Sequence, residues 1–222
     1  MTSRAPERGQ RHDVSRTSKR TSAGTQADLQ QEPESLDACR RCTLWRDATH
    51  AVPGAGSSHA TLMLVGEQPG DSEDRVGLPF VGPAGVLLDT VLEEAGVARK
   101  TVYVTNAVKH FKWELRGKRR LHKTPGQREV EACAYWLDRE LAQVKPKVVV
   151  ALGATALRAV LHDPSARLNA HMEHPARIGE LVVVATWHPS YVLRASSSEA
   201  REAARAQMVD ALRHAHSLAA SR

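Results

Sequence analysis

The sequence predicts a three-layer α/β/α protein built on a central, mostly parallel, four-stranded sheet. Three observations carry that expectation. Short apolar runs stand at Thr61-Leu-Met-Leu-Val-Gly66, Val102-Tyr-Val-Thr-Asn106, Lys147-Val-Val-Val-Ala-Leu152 and Leu181-Val-Val-Val-Ala185, continuous enough for strands buried on both faces. Segments with apolar residues at helical spacing separate them. Strand–helix alternation calls for right-handed crossovers and helices on both faces of the sheet.

Composition bounds the rest. The 222 residues suit one domain plus a tail, and 41% hydrophobic residues suit a packed core. A net charge of +6 and a pI near 9.5 point to an acidic partner such as nucleic acid. With only 4% aromatic residues, extended base-stacking platforms are not expected. Three cysteines do not make a disulfide scaffold and point to a reducing compartment or a metal site. No run of about 18 apolar residues and no apolar signal core occur, so a soluble, cytoplasmic protein without a membrane partner is expected.

Residues 1–34 are expected to form a basic, disordered tail, and residues 35–222 the folded domain. The first 20 residues hold six basic side chains against two acidic ones with almost nothing apolar between them, too little burial to offset ordering entropy. The domain begins with Cys39-Arg-Arg-Cys42, a spacing used for zinc, for iron-sulfur clusters and for redox dithiols. Polar residues rather than a strand precede it, which favours metal or cluster.

The strand ending at Gly66 runs into Glu67-Gln68-Pro69-Gly70-Asp71, a turn at the carboxyl end of a strand, where open α/β sheets bind ligands. Phe80 lies in the apolar loop Leu78-Pro79-Phe80-Val81-Gly82-Pro83, ahead of a helix with Leu88, Val91, Leu92 and Ala95 at core spacing. The second strand delivers Asn106. A basic loop follows, Arg116-Gly117-Lys118-Arg119-Arg120-Leu121-His122-Lys123-Thr124-Pro125; charges this dense suit a polyanion or a solvated surface, and His122 alone in it can do chemistry. The next helix carries Val130, Cys133, Ala134, Leu137 and Leu141 on one stripe, and the third strand feeds a helix through Leu157 and Leu161. Residues 163–180 are irregular. The last strand leads into Thr186-Trp187-His188-Pro189-Ser190, and a closing helix begins near Ser197. Neither a P-loop nor a dinucleotide fingerprint is present, which removes most of the case for nucleotide hydrolysis or dinucleotide redox.

Gly66-Glu67-Gln68-Pro69-Gly70 and His188-Pro189-Ser190, each after a strand, resemble the two signature motifs of the uracil-DNA glycosylase superfamily. Cys39, Cys42 and Cys133 resemble its iron-sulfur branch, family 4. Lys118-Arg119-Arg120-Leu121-His122 resembles the insertion of the UdgX-type subgroup. The resemblance spans about residues 36–216. It implies a uracil pocket in which Phe80 stacks on the extruded base and Asn106 and Gln68 read it. It further implies that His188 stabilises the departing uracil and that Glu67 or Asp71 stabilises the cationic sugar. In the UdgX-type reading His122 attacks C1′ of the sugar and stays attached, once per molecule, with Arg120 holding the loop near the DNA. Lys118, Arg119, Arg120 and Ser190 are expected on the DNA, and Leu193 as a wedge or the start of the next helix.

The resemblance also implies a 4Fe-4S cluster. Family members usually offer four cysteines; here His110 stands in the place of one, which gives Cys39, Cys42, His110 and Cys133, with zinc as the rival. The implied partner is uracil-containing DNA, single- or double-stranded, bound by a monomer. Two alternatives stay open: a conventional multiple-turnover glycosylase, and a non-enzymatic DNA-binding protein with a structural cluster. A departure from the family lies in residues 170–179, where His171-Met-Glu-His-Pro stands where the family tends to show Arg-Gly.

Overall fold

The computed structural model describes residue 30 and residues 32–221; the tail expected over residues 1–34 falls almost wholly outside them. After a turn through Cys39 and Cys42 and a 3-10 turn at Leu44–Arg46, the order is β1 (Ala55–Gly56), β2 (Leu62–Gly66), α1 (Asp71–Val76), α2 (Pro83–Glu94), β3 (Tyr103–Asn106), β4 (Trp113–Arg116), β5 (Arg119–His122), α3 (Gln127–Val144), β6 (Val148–Leu152), α4 (Ala154–Leu161), α5 (Leu168–Met172), β7 (Ala176–Ile178), β8 (Leu181–Thr186), α6 (Pro189–Leu193) and α7 (Ser198–Ala220).

The main sheet has strand order β1-β3-β2-β6-β8-β7. Its inner four strands are parallel, in the register Gly66↔Asn106, Leu64↔Val150 and Val150↔Val184. These are the apolar runs expected to form a four-stranded sheet. Two short antiparallel edge strands bring the total to six: β1 on β3 and β7 on β8. At two and three residues they are too short to leave an alternation pattern, and β7 comes from the segment expected to be irregular.

Alternation along the buried strands sorts the core into two layers. Leu62, Leu64, Val148, Val150 and Val184 meet Leu88 and Leu92 of α2 and Met208 and Leu212 of α7 on one face. Met63, Val65, Val149, Ala151 and Val183 meet Leu137 of α3 and Leu157 and Val160 of α4 on the other. Burial on both faces is why these strands read as continuous apolar runs. The layered architecture is therefore as the pattern of elements implied.

The basic stretch is not an open loop. β4 and β5 pair antiparallel from Trp113↔His122 to Arg116↔Arg119, and Gly117, at φ 63°, supplies the backbone needed for the two-residue turn with Lys118. Sequence masks this hairpin because its strands are charged and exposed rather than apolar. Residues 189–193 form a separate short helix, so Leu193 does not begin the closing helix. No helix among the described residues is long and apolar enough to cross a membrane.

Candidate active site

The carboxyl ends of β2, β3 and β8 meet around a cleft of about 490 Å³ lined by Glu67, Gln68, Phe80, Asn106, His122 and His188, with Ser190 at its edge. Adjacent strands set its floor. Gly66 lies directly opposite Asn106, and a Cβ on Gly66 would stand 2.4 Å from Asn106 Oδ1 and 2.6 Å from Phe80 Cζ. Only glycine leaves room there for the amide and the ring together. Asn106 is 2% exposed, and its Oδ1 is a buried acceptor without a hydrogen-bond partner. An orphaned buried acceptor costs about 1–3 kcal/mol, a cost a ligand N–H would relieve.

Phe80 has a left-handed backbone, φ 54°, unusual for an aromatic residue. Glu73 holds the loop in place: its Oε1 accepts from the Gly82 N–H at 2.7 Å and its Oε2 from the Gly70 N–H at 3.1 Å. The Phe80 and His188 rings then lie 6.1 Å apart.

His188 Nδ1 accepts from the Ser190 N–H at 3.1 Å, so in the neutral ring the proton sits on Nε2. Burial pushes the His188 pKa down to about 4; the Glu67 carboxylate opposes that shift and the His122 and Arg194 charges assist it. At neutral pH His188 is an uncharged N–H donor. Glu67 is the reverse case. Burial alone would raise its pKa, but hydrogen bonds from His122 and Thr155 outweigh it and hold the carboxyl below its ordinary range. His122 Nε2 lies 3.3 Å from Glu67 Oε1, and Thr155 Oγ1 donates to Glu67 Oε2 at 2.6 Å.

Other expected site residues are engaged elsewhere. The Gln68 side chain is taken up by the hairpin: Nε2 donates to the carbonyls of Lys112 and Lys123 at 3.2 and 3.0 Å, and Oε1 accepts from the Lys112 N–H. Arg120 does not point to solvent. It bridges Asp71 and Asp74 and lies over the rings of Phe111 and Trp113. Asp71, paired with Arg120 and Arg75, stands outside the residues lining the cleft. Lys118 and Arg119 are exposed at the hairpin tip, and Leu193, 44% exposed, ends the short helix that follows His188.

Cys39, Cys42, His110 and Cys133 are all buried. Arg41 Nε donates to the Ala132 carbonyl, which docks the Cys-x-x-Cys turn on α3. Cys42 and Cys133 share a hydrogen bond that lowers the Cys42 pKa and, together with burial, raises that of Cys133. Burial, with Arg40 nearby, brings His110 down to about 4, so its imidazole is neutral and free to ligate. In kind, three buried thiols and a neutral imidazole fit an iron-sulfur centre. Among the described residues, however, no three such donors converge on one metal-holding point.

Sequence reading missed Thr155 and Glu73, and read Gly66 only as a strand end and part of a motif. Glu73 had a signal, three residues after the turn glycine Gly70 and inside the first turn of α1. Thr155 had none, because only the fold brings α4 to Glu67.

The strand ends of this parallel sheet enclose a buried amide, an aromatic ring, a neutral histidine and a carboxylate, groups able to stack on and hydrogen-bond a flat heterocycle. Residues 53–213 match the family model described as the uracil DNA glycosylase superfamily. The chain is 37% identical over 169 residues to the type-4 uracil-DNA glycosylase of Thermotoga maritima, covering 76% of this chain and 84% of that protein. It is 36% identical over 174 residues to the type-4 uracil-DNA glycosylase of Pyrobaculum aerophilum, covering 75% and 85%. A type-5 uracil-DNA glycosylase of the same organism is 34% identical over 172 residues, covering 68% and 70%. The chain belongs to the uracil DNA glycosylase superfamily, with type-4 members among its relatives. These similarities do not extend to the UdgX-type subgroup, whose resemblance rests on the basic hairpin alone.

Proposed function

We propose that this protein, acting as a monomer, removes uracil from DNA by cleaving the N-glycosidic bond and releases it in repeated turnovers. The observation that carries the reading is the buried, unpartnered Oδ1 of Asn106 beside the Phe80 ring. It is an acceptor where the N3–H of an extruded uracil would donate.

The chemistry follows from the charges. As the C1′–N1 bond breaks, its electron pair moves onto uracil and positive charge grows on the sugar. Neutral His188 donates from Nε2 to the uracil O2, and ionised Glu67 faces the sugar. Water adds to C1′ and gives up its proton to Glu67 or solvent. Lys118 and Arg119 supply phosphate contacts, and Leu193 with Ser190 holds the DNA beside the vacated stack. A 4Fe-4S cluster would be held by Cys39, Cys42, His110 and Cys133, with a structural role in fixing the amino-terminal turn against α3.

One observation favours a second ending. His122 stands at the cleft with its Nε2 on Glu67 Oε1, so Glu67 could take the Nε2 proton while that nitrogen attacks C1′. The product would be a covalent protein–DNA adduct formed once. The type-4 relatives favour turnover with water, and His122, with 48% of its side chain exposed, leaves room for it.

A uracil-containing oligonucleotide mixed with the protein, denatured and run on a gel beside His122→Ala decides the matter. Free DNA with an abasic site, formed in excess over protein, supports turnover. A denaturation-resistant band lost in His122→Ala moves capture to the front. Untouched DNA removes both enzyme readings and leaves a DNA-binding protein.

A further inference from the structure

The two oxygens of Glu67 have different partners on different elements. Oε1 faces His122 Nε2 at 3.3 Å, at the end of β5, and Oε2 accepts from Thr155 Oγ1 at 2.6 Å. Thr155 is the second residue of α4, so the carboxylate meets the positive end of that helix. The start of α4 is firmly placed: the Gly153 N–H donates to the Thr186 carbonyl at 2.8 Å, and the Leu157 N–H to the Gly153 carbonyl at 3.1 Å. A β-branched side chain in a helix has few χ1 choices, and the one adopted here aims the hydroxyl at Glu67 Oε2. The backbone of Glu67 is pinned as well, its carbonyl accepting from the Val108 N–H at 3.0 Å. What remains free without Thr155 is rotation of the carboxylate itself.

We propose that Thr155 is a positioning residue for the active-site carboxylate, its hydroxyl holding one oxygen of Glu67 so that the other faces His122 and the sugar. This rests on the role given to Glu67 in the proposed function. Thr155 touches neither base nor sugar and acts only through Glu67. The charged and titratable groups around that carboxylate are His122 from β5 and His188 ahead of α6, with Glu73 and Arg194 lining the same cleft. None of these replaces a hydroxyl donor at Oε2.

The test compares wild type with Thr155→Val, which keeps the shape and removes the donor, and Thr155→Ser, which keeps the donor. Thr155→Ala serves in place of valine if valine loosens the start of the helix. Two readouts are taken: the titration of the Glu67 carboxyl by carbon NMR, which needs no activity, and single-turnover uracil release as a function of pH. In Thr155→Val the carboxyl midpoint rises and the acid limb of uracil release moves to higher pH with it. The maximal rate falls roughly tenfold, the loss of one hydrogen bond to a charged group, while DNA affinity changes by less than about twofold. Thr155→Ser restores both. A Glu67 midpoint in Thr155→Val equal to that of wild type overturns the proposal. Wild type that releases no uracil overturns the proposed function instead, and the NMR titration still decides the role of Thr155.

Discussion

The Asp74 carboxylate, with none of its side chain exposed, lies 2.6 Å from Nη1 of Arg120, and this pair fastens the basic hairpin to the body of the protein. The hairpin therefore divides in two. Arg120 is tied down against Asp71 and Asp74, whereas Lys118 and Arg119 at the tip stay exposed.

Substitutions should separate these halves. Arg120→Ala leaves a buried carboxylate without its partner and is expected to cost about 3–5 kcal/mol of stability, measured by urea unfolding. Lys118→Ala and Arg119→Ala should leave stability within about 0.5 kcal/mol and each reduce the salt dependence of DNA affinity by about one phosphate contact. An Arg120→Ala protein of wild-type stability would show that the clamp does not hold the hairpin.

Gly66→Ala places a methyl between Asn106 and Phe80. Overpacking of this kind costs about 1–3 kcal/mol, and the cleft loses the space for a base. Uracil release should fall by at least about 100-fold, since a misplacement of an ångström costs that much, with the thermal midpoint lowered only by the packing strain. Undiminished release from Gly66→Ala would place the base elsewhere.

Asn106→Leu exchanges the orphaned amide for an apolar side chain of similar volume. The unpaired acceptor is a liability in the free protein, so its removal should hold or raise the thermal midpoint. Uracil release should drop by about 100-fold or more, as expected when a base-reading amide is lost. Activity and stability moving down together would mean that Asn106 serves the fold rather than a base.

His188 gives a pH prediction with a defined sign. Its pKa is about 4 in the folded protein against about 6.5 when unfolded, so between those values the unfolded chain binds more protons. The stability from keeping it neutral is complete above about pH 6.5 and is lost as pH falls towards 4. Glu67, also depressed, contributes in the same direction at its own lower range. Urea unfolding from pH 7 to 4 should show a decline that flattens in His188→Gln. Uracil release should show no inflection from His188 across neutral pH.

Protein purified without oxygen should carry about four irons and matching sulfide per chain if Cys39, Cys42, His110 and Cys133 hold a 4Fe-4S cluster. Zinc without sulfide would replace the cluster with a zinc site. Cys133→Ser should lower the metal content in either case, because the Cys133 thiol is buried beside that of Cys42.

The four apolar runs, the helical stripes between them and the two strand-end motifs were enough to give the layered fold and the superfamily, because strands buried on both faces stand out as continuous apolar runs between helices of 3.6-residue period. Of the cleft-lining residues, Glu67, Asn106 and His188 were legible because they stand at or just after strand ends, and parallel strands bring their carboxyl ends to one edge; Phe80 was legible as an apolar ring in a loop between elements. Tertiary structure alone decided which of the candidates have free side chains. Gln68 and Arg120 were expected on the base and on the DNA. The fold instead ties the Gln68 amide to the Lys112 and Lys123 backbone and the Arg120 guanidinium to Asp71 and Asp74. The pairing of Thr155 with Glu67 was equally hidden. A residue's type and place in the chain state what it can bond, whereas the partner it does bond is set by long-range packing, which brings together atoms that the sequence keeps far apart.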